Sequence, residues 1–217
     1  MTDFAMRRSM MVDTQVRPSD VTKFPIIDAM LSVPREDYVP DGKREAAYMG
    51  ENISLGGDRV VLEPRTLAKM LDAADIQPDE LVLDLGCGLG YSAAVLARLA
   101  DFVIAVEEDD AMATEAQTAL SEHGADNVAV IAGPLIEGSA KNAPYDVIMI
   151  EGAVETVPSM ITDQLKDGGR ICAIFADGML GTAKIGYKID GDIVWRHGFS
   201  AGAPLLQGFQ KPSAFVL

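Results

Sequence analysis

Histidine, cysteine and tryptophan are scarce in this chain of 217 residues: two His, two Cys and one Trp. Cys87 and Cys172 are too few for a disulfide framework. A reducing compartment is therefore the expectation. His123 and His197 stand far apart in the sequence, which gives no support to a metal centre. Basic residues are also few. Eighteen Lys and Arg face 33 Asp and Glu, for a formal net charge of −15. Non-specific nucleic-acid binding needs a basic face, so that class is excluded, and an anionic membrane surface is excluded on the same ground. The stretch MTDFAMRRSMMVDTQVRPSD carries Arg7 and Arg8 but no apolar core for a signal peptide. Nowhere do about 18 apolar residues run together, as a membrane helix requires. These absences describe a cytoplasmic protein with a self-repelling acidic surface. Its 48% hydrophobic content is enough for a proper core. Nothing in the sequence sets an oligomeric state.

What is present divides near residue 79. Residues 1–78 read as a helical extension with a substrate-side loop, and 79–217 as one α/β core. DVTKFPIIDAMLSV predicts a helix capped at Asp20 and ended by Pro34. Met6, Met10 and Met11 fit one packed helical face. REAAYMGENISLGGDRVVL reads as loop, and Pro64 suits the first turn of a helix through RTLAKMLDAA. Beyond residue 80, the apolar runs LVLDL, FVIAV, VAVIA, YDVIMI and RICAIF alternate with helical stretches at 91–100, 110–122 and 156–166. Continuous apolar strands between helices mean a parallel sheet covered on both faces. AKIGYKI and DIVWRHGF, joined by Asp190-Gly191, close it as an antiparallel hairpin. The fold class is a doubly wound α/β sheet, mostly parallel. SAGAPLLQGF (200–209) is either a cover for the site or a plain surface loop.

The chemistry concentrates in VLDLGCGLGYSAAVLA (82–97), a strand, a glycine turn and a helix. A phosphate-cradling loop would need a lysine after the glycines, and none follows. A dinucleotide turn needs its third glycine at 91, where this chain has Tyr91. The remaining pattern is Asp84-x-Gly86-x-Gly88-x-Gly90, with Cys87 and Leu89 completing the turn. Glu107 ends the next strand, followed by Glu108. A carboxylate there can accept both hydroxyls of a ribose. A ribose with no phosphate to cradle suggests S-adenosylmethionine, with Asp84 near its ammonium group. Against this stands the reading that the glycines only turn the chain. Cys87 fits as a small filler of a tight turn rather than a nucleophile.

Residues 81–107 resemble the cofactor half of a class I methyltransferase. AMLSVPREDYVP (29–40), AAYMGENISLGGDRVVLEP (46–64), GYSAAVLA (90–97) and QLKDGGRI (164–171) resemble, in order, motifs of the protein-L-isoaspartate O-methyltransferase family. The likeness covers most of residues 10–175. It implies methyl transfer from S-adenosylmethionine to the free carboxylate of isoaspartyl residues in peptides or proteins. A carboxylate is already ionised at neutral pH and needs no general base, so positioning would carry the catalysis.

The chain departs from the family's pattern in three places. Arg59, Val60 and Leu62 stand where the family has Gln, Thr and Ser, so its active-site hydroxyls are missing. Pro134, between Gly133 and Leu135, replaces an aspartate expected near the adenine. Glu151 adds a carboxylate beside the cofactor site. Arg59 suits a substrate carboxylate, or equally a pairing with Asp58 or Glu63. Arg59 and the region of Leu62 are the catalytic candidates. The missing hydroxyls lead to an expectation of weak isoaspartyl methylation. They also leave open a different carboxylate acceptor, or a regulatory protein that binds S-adenosylmethionine without transferring methyl.

Overall fold

The structure, a computed structural model, describes residues 3–177 and 180–211. Helix α1 (Phe4–Met11) continues through a wider turn at Val12–Val16, and α2 spans Phe24–Ser32. A hairpin follows, of β1 (Ile53–Gly56) and β2 (Arg59–Val61), then α3 (Pro64–Ala74). The core runs β3 (Leu81–Leu85), α4 (Tyr91–Leu96), β4 (Phe102–Glu107), α5 (Asp110–Glu122), β5 (Val128–Ala132), β6 (Tyr145–Val154), α6 (Ser159–Thr162), β7 (Leu165–Asp177), β8 (Leu180–Ile189) and β9 (Asp192–Ser200).

The strands form a seven-stranded sheet in the order β5-β4-β3-β6-β7-β8-β9. It is parallel through β7 and antiparallel from β7 to β9. Strands β3 and β6 are paired although distant in sequence, so the strand order reverses at β3. Its carboxyl end is therefore the crevice where such sheets bind ligands. Asp190 and Gly191 both have positive φ, at 53° and 88°, as a two-residue hairpin turn requires.

Alternation along the strands assigns the two faces. Val82, Met149 and Ala153 pack with the N-terminal helices, α3 and α4. Leu83, Leu85, Ile148 and Ile150 pack on the other side with Leu135, Ile161, Leu206 and Phe209. One face is thus roofed by the N-terminal extension, the other by short turns and the C-terminal segment.

Several local expectations are corrected. Asp20 does not cap α2. It sits in the left-handed region at φ 66° and closes the turn at Arg17–Ser19. Helix α2 starts only at Phe24, where Pro25 occupies the first turn. Met6 and Met10 are exposed and Met11 alone is buried. The inward line of α1 is Phe4, Arg8 and Met11, and Arg8 bonds Tyr48 and Glu36. The stretch 53–61 is a hairpin rather than a loop. The helix at 91–100 ends at Leu96, and the one at 156–166 shrinks to Ser159–Thr162 behind Pro158. Gln164 instead ties the turn at 137–139 to this corner, through Ser139 N–H and Glu137 C=O.

Candidate active site

The glycine turn is built as the strand-end position demands. Gly86, Gly88 and Gly90 all have positive φ, and Gly86 N–H donates to Val106 C=O at 2.8 Å. Bare backbone is needed at two of them. A Cβ on Gly86 would lie 2.7 Å from Arg59 Nη2, and one on Gly88 2.4 Å from Leu55 Cδ1. The β1–β2 hairpin therefore lies directly on the turn.

Asp84 is fully buried. Its Oδ2 accepts from Ser92 Oγ at 2.7 Å, and its Oδ1 has no partner. Burial pushes its carboxyl up, and Glu107 adds to this, against Ser92 and Arg59. Cys87 is buried, and its thiol is pushed well up by burial and by Asp84 and Glu107. A buried thiol held neutral in this way is a poor nucleophile. Leu89 is buried in the same turn.

Glu107 is the hub. Its Oε1 accepts from Glu108 N–H and Asp109 N–H, and its Oε2 from Gly88 N–H at 2.8 Å. Arg59 completes it as a fork, with Nε on Oε1 at 3.2 Å and Nη2 on Oε2 at 2.6 Å. This corrects the partners expected for Arg59: it pairs neither with Asp58 nor with Glu63 but with Glu107. The pair is deeply buried, at 13% and 0% side-chain exposure. Charge-assisted, two-pronged contacts of this kind are the strong ones.

Beside the pair lies a cavity of about 350 Å³, lined by Asp58, Arg59, Glu107, Glu108, Leu135 and Leu206 among others. Gly133 N–H is tied to Glu107 C=O at 2.9 Å, and Pro134 leads into the short turn at Leu135–Glu137. Of that trio Leu135 reaches the cavity. From the segment 201–209, Leu206 and Gln207 line this cavity. Ala153 N–H donates to Pro204 C=O and Leu206 N–H to Ala153 C=O, both at 2.9 Å.

On the face under the N-terminal extension, Val60 and Leu62 are buried. Arg35, also fully buried, fixes that segment by donating to Leu62 C=O at 2.8 Å and Ala47 C=O at 2.7 Å, and it stacks over the Tyr91 ring at 4.7 Å. Glu151 is buried here too, with Oε1 unpartnered. Burial raises its carboxyl well above the ordinary glutamate range, and Asp84 raises it further, against Arg59 and Arg35. A carboxyl raised on folding favours the folded state at low pH, and that contribution fades as pH climbs through the folded value. Melting of the ligand-free wild type should therefore fall more steeply than that of Glu151→Gln as pH rises above the ordinary value of 4.5. Parallel slopes would show that Glu151 ionises freely.

Arg35, Leu55, Ser92, Asp109 and Leu206 were not among the sequence candidates. Arg35 carried a signal as the arginine of VPRED, Ser92 within GYSAAVLA and Leu206 within SAGAPLLQGF. The others matter through backbone or packing positions that no local pattern marks.

The arrangement suits a ligand with one cationic end and one hydroxylated end: an unpartnered buried carboxylate oxygen on Asp84, a glycine turn buried under Arg59 and Leu55, and Glu107 at a cavity. The protein-L-isoaspartate(D-aspartate) O-methyltransferase family matches residues 6–186. Among curated relatives, the Koribacter versatilis protein-L-isoaspartate O-methyltransferase is 36% identical over 171 residues, covering 79% of this chain and 77% of the relative. The Methanoregula boonei protein of the same name is 36% identical over 164 residues, with 76% of each covered. A solved protein-L-isoaspartate O-methyltransferase superposes with a TM-score of 0.81 at 24% identity, over 93% of this chain and 66% of that one. A Plasmodium falciparum structure, a putative enzyme of the same type in complex with S-adenosyl-L-homocysteine, gives 0.80 at 17% identity over 93% and 98%. The chain belongs to the protein-L-isoaspartate(D-aspartate) O-methyltransferase family.

Proposed function

We propose that this protein methylates the free carboxylate of isoaspartyl residues in peptides and proteins, with S-adenosylmethionine as donor. The observation that carries the reading is the Asp84–glycine turn–Glu107 arrangement at the sheet's switch point, in a chain of this family. When bound, S-adenosylmethionine supplies an electrophilic methyl: the acceptor oxygen's electron pair forms the C–O bond, and the pair of the broken C–S bond stays on sulfur. The protein's own residues bind and orient. Asp84 Oδ1 is free to accept from an ammonium group. Gly86 and Gly88 let a ligand approach the backbone once the Arg59 and Leu55 side chains that lie on them swing aside. Glu107 accepts ribose hydroxyls once Arg59 releases it. Leu135 and Leu206 offer apolar walls for a base.

Calorimetric titration tests the donor half: S-adenosylhomocysteine should bind and NAD should not, and the reverse would sink the assignment. For the acceptor half, repeated turnover with an isoaspartyl peptide should yield aspartyl peptide by chromatography, because the methyl ester collapses to a succinimide that reopens in part as normal aspartate. A peptide returned unchanged after prolonged incubation would count against it.

A further inference from the structure

An acceptor carboxylate entering this site gives up water and needs hydrogen-bond donors in exchange. The positions where the family's pattern has hydroxyls are Val60 and Leu62, both buried and apolar. Of the donors nearby, Arg59 Nε and Nη2 lie on Glu107, Arg35 Nε and Nη2 hold the carbonyls of Ala47 and Leu62, and Ser92 donates to Asp84, while Arg35 Nη1, Arg59 Nη1 and Tyr91 Oη are buried without a partner.

None of these is a hydroxyl on the segment of Val60 and Leu62, and Glu151 is placed to add one there. Strand β2 packs against β6. The register of β6 shifts between Met149 and Ala153, but a Cβ on Gly152 would meet Leu206 on the opposite face, so Glu151 lies on the side of Met149 and Ala153, which pack in one cluster with Val60, Val61, Leu62 and Val82. Asp84, two residues beyond Val82, shares that face. Glu151 is therefore a buried carboxyl on the face of the hydroxyl-poor segment, with one oxygen unpartnered. Asp84 faces it from β3, Arg59 from the hairpin, Arg35 from the turn at Arg35–Asp37 and Cys172 from β7. Two buried carboxyls so close do not both ionise readily. Asp84 has the Ser92 hydroxyl to stabilise its anion and no hydroxyl donates to Glu151 among the described residues, so burial and Asp84 favour the proton on Glu151, against Arg59 and Arg35. A protonated carboxyl is a hydroxyl donor.

We infer that Glu151 contacts the acceptor, its carboxyl O–H donating to the carboxylate to be methylated in place of the hydroxyls absent at Val60 and Leu62. This rests on the isoaspartyl reading above. Glu151 neither gives up nor takes a proton in the transfer; it holds the nucleophilic oxygen in line.

The test compares wild type, Glu151→Gln, Glu151→Ala and Glu151→Ala/Val60→Thr/Leu62→Ser with an isoaspartyl peptide from about pH 6 to 9. Loss of one hydrogen bond to a charged group predicts a fall in kcat/KM of about ten- to hundredfold for Glu151→Ala. Glu151→Gln should lose far less, because its amide still donates, and the triple variant should recover part of the loss. Wild-type activity should decline on the alkaline side where Glu151→Gln stays level. A second readout needs no turnover. In protein carrying ¹³C-labelled glutamate carboxyls and saturated with S-adenosylhomocysteine, adding the peptide should move the Glu151 titration to higher pH. Wild type that methylates the peptide while Glu151→Ala matches it, or Glu151→Gln as damaged as a folded Glu151→Ala, overturns the inference alone. A wild type silent towards the peptide at every pH overturns the isoaspartyl reading and the inference with it.

Discussion

Glu107→Ala should destabilise the protein by about 3–5 kcal/mol, the usual cost of removing one partner from a buried ion pair. For a chain of this size that is a drop in Tm of roughly 6–20 °C, at about 2–4 °C per kcal/mol. Read from sequence, Glu107 is a ribose ligand whose loss weakens cofactor binding about ten- to hundredfold and spares the fold. The structure makes it more than that. Its carboxylate gathers the N–H groups of Gly88, Glu108 and Asp109 and the fork of Arg59. Truncation strands a buried guanidinium and three amides that hold the glycine turn to the start of α5. The measurement is thermal or urea unfolding of ligand-free protein beside Glu107→Gln, which keeps an acceptor oxygen and should lose less. A Glu107→Ala melt within a degree or two of wild type would show that water replaces the carboxylate without cost, and that the turn is held by other contacts.

Arg59→Gln should bind S-adenosylhomocysteine about tenfold more tightly than wild type, or better. Both Glu107 oxygens are occupied: Oε1 by two amides and Arg59 Nε, Oε2 by Gly88 N–H and Arg59 Nη2. Ribose hydroxyls can use them only after the fork leaves. Each bond to a charged group is worth about 1.5–3 kcal/mol. The released guanidinium regains water or finds the acceptor's carboxylate, which returns much of that cost; about 1.4 kcal/mol left over is tenfold. Calorimetry reads the change directly. Weaker binding by Arg59→Gln would mean that Arg59 helps hold the cofactor and does not compete with it. A raised KM for the acceptor in the same variant would place the freed guanidinium on the substrate.

The strands were the most legible part of the sequence. Apolar runs such as LVLDL and YDVIMI have no polar face and can only be buried on both sides, and Asp190-Gly191 announced the closing hairpin. The β1–β2 hairpin was not legible. SLGGDRVV is short and glycine-rich, and what holds it is Leu55 on Gly88 and Arg59 on Glu107, contacts with residues far along the chain. For the same reason local reading offered Arg59 its neighbours Asp58 and Glu63, while the partner chosen lies 48 residues away. The helix at 156–166 was overread because its apolar spacing is helical, yet Pro158 delays its start and Leu165 is already in β7. In the site, Asp84, the glycines and Glu107 stood out by spacing. The burial of Glu151 and its open oxygen did not, because they depend on strand alternation and on the roof that the extension places over that face.

The central claim is methyl transfer to isoaspartyl carboxylates, and radiolabelled methyl incorporation tests it most directly. Two peptides of identical sequence, one with an isoaspartyl linkage and one with normal aspartate, are each incubated with the protein and methyl-labelled S-adenosylmethionine. The account predicts base-labile label on the isoaspartyl peptide and background on its isomer. Background on both, from protein that binds S-adenosylhomocysteine, would contradict it and leave a binding protein without this activity.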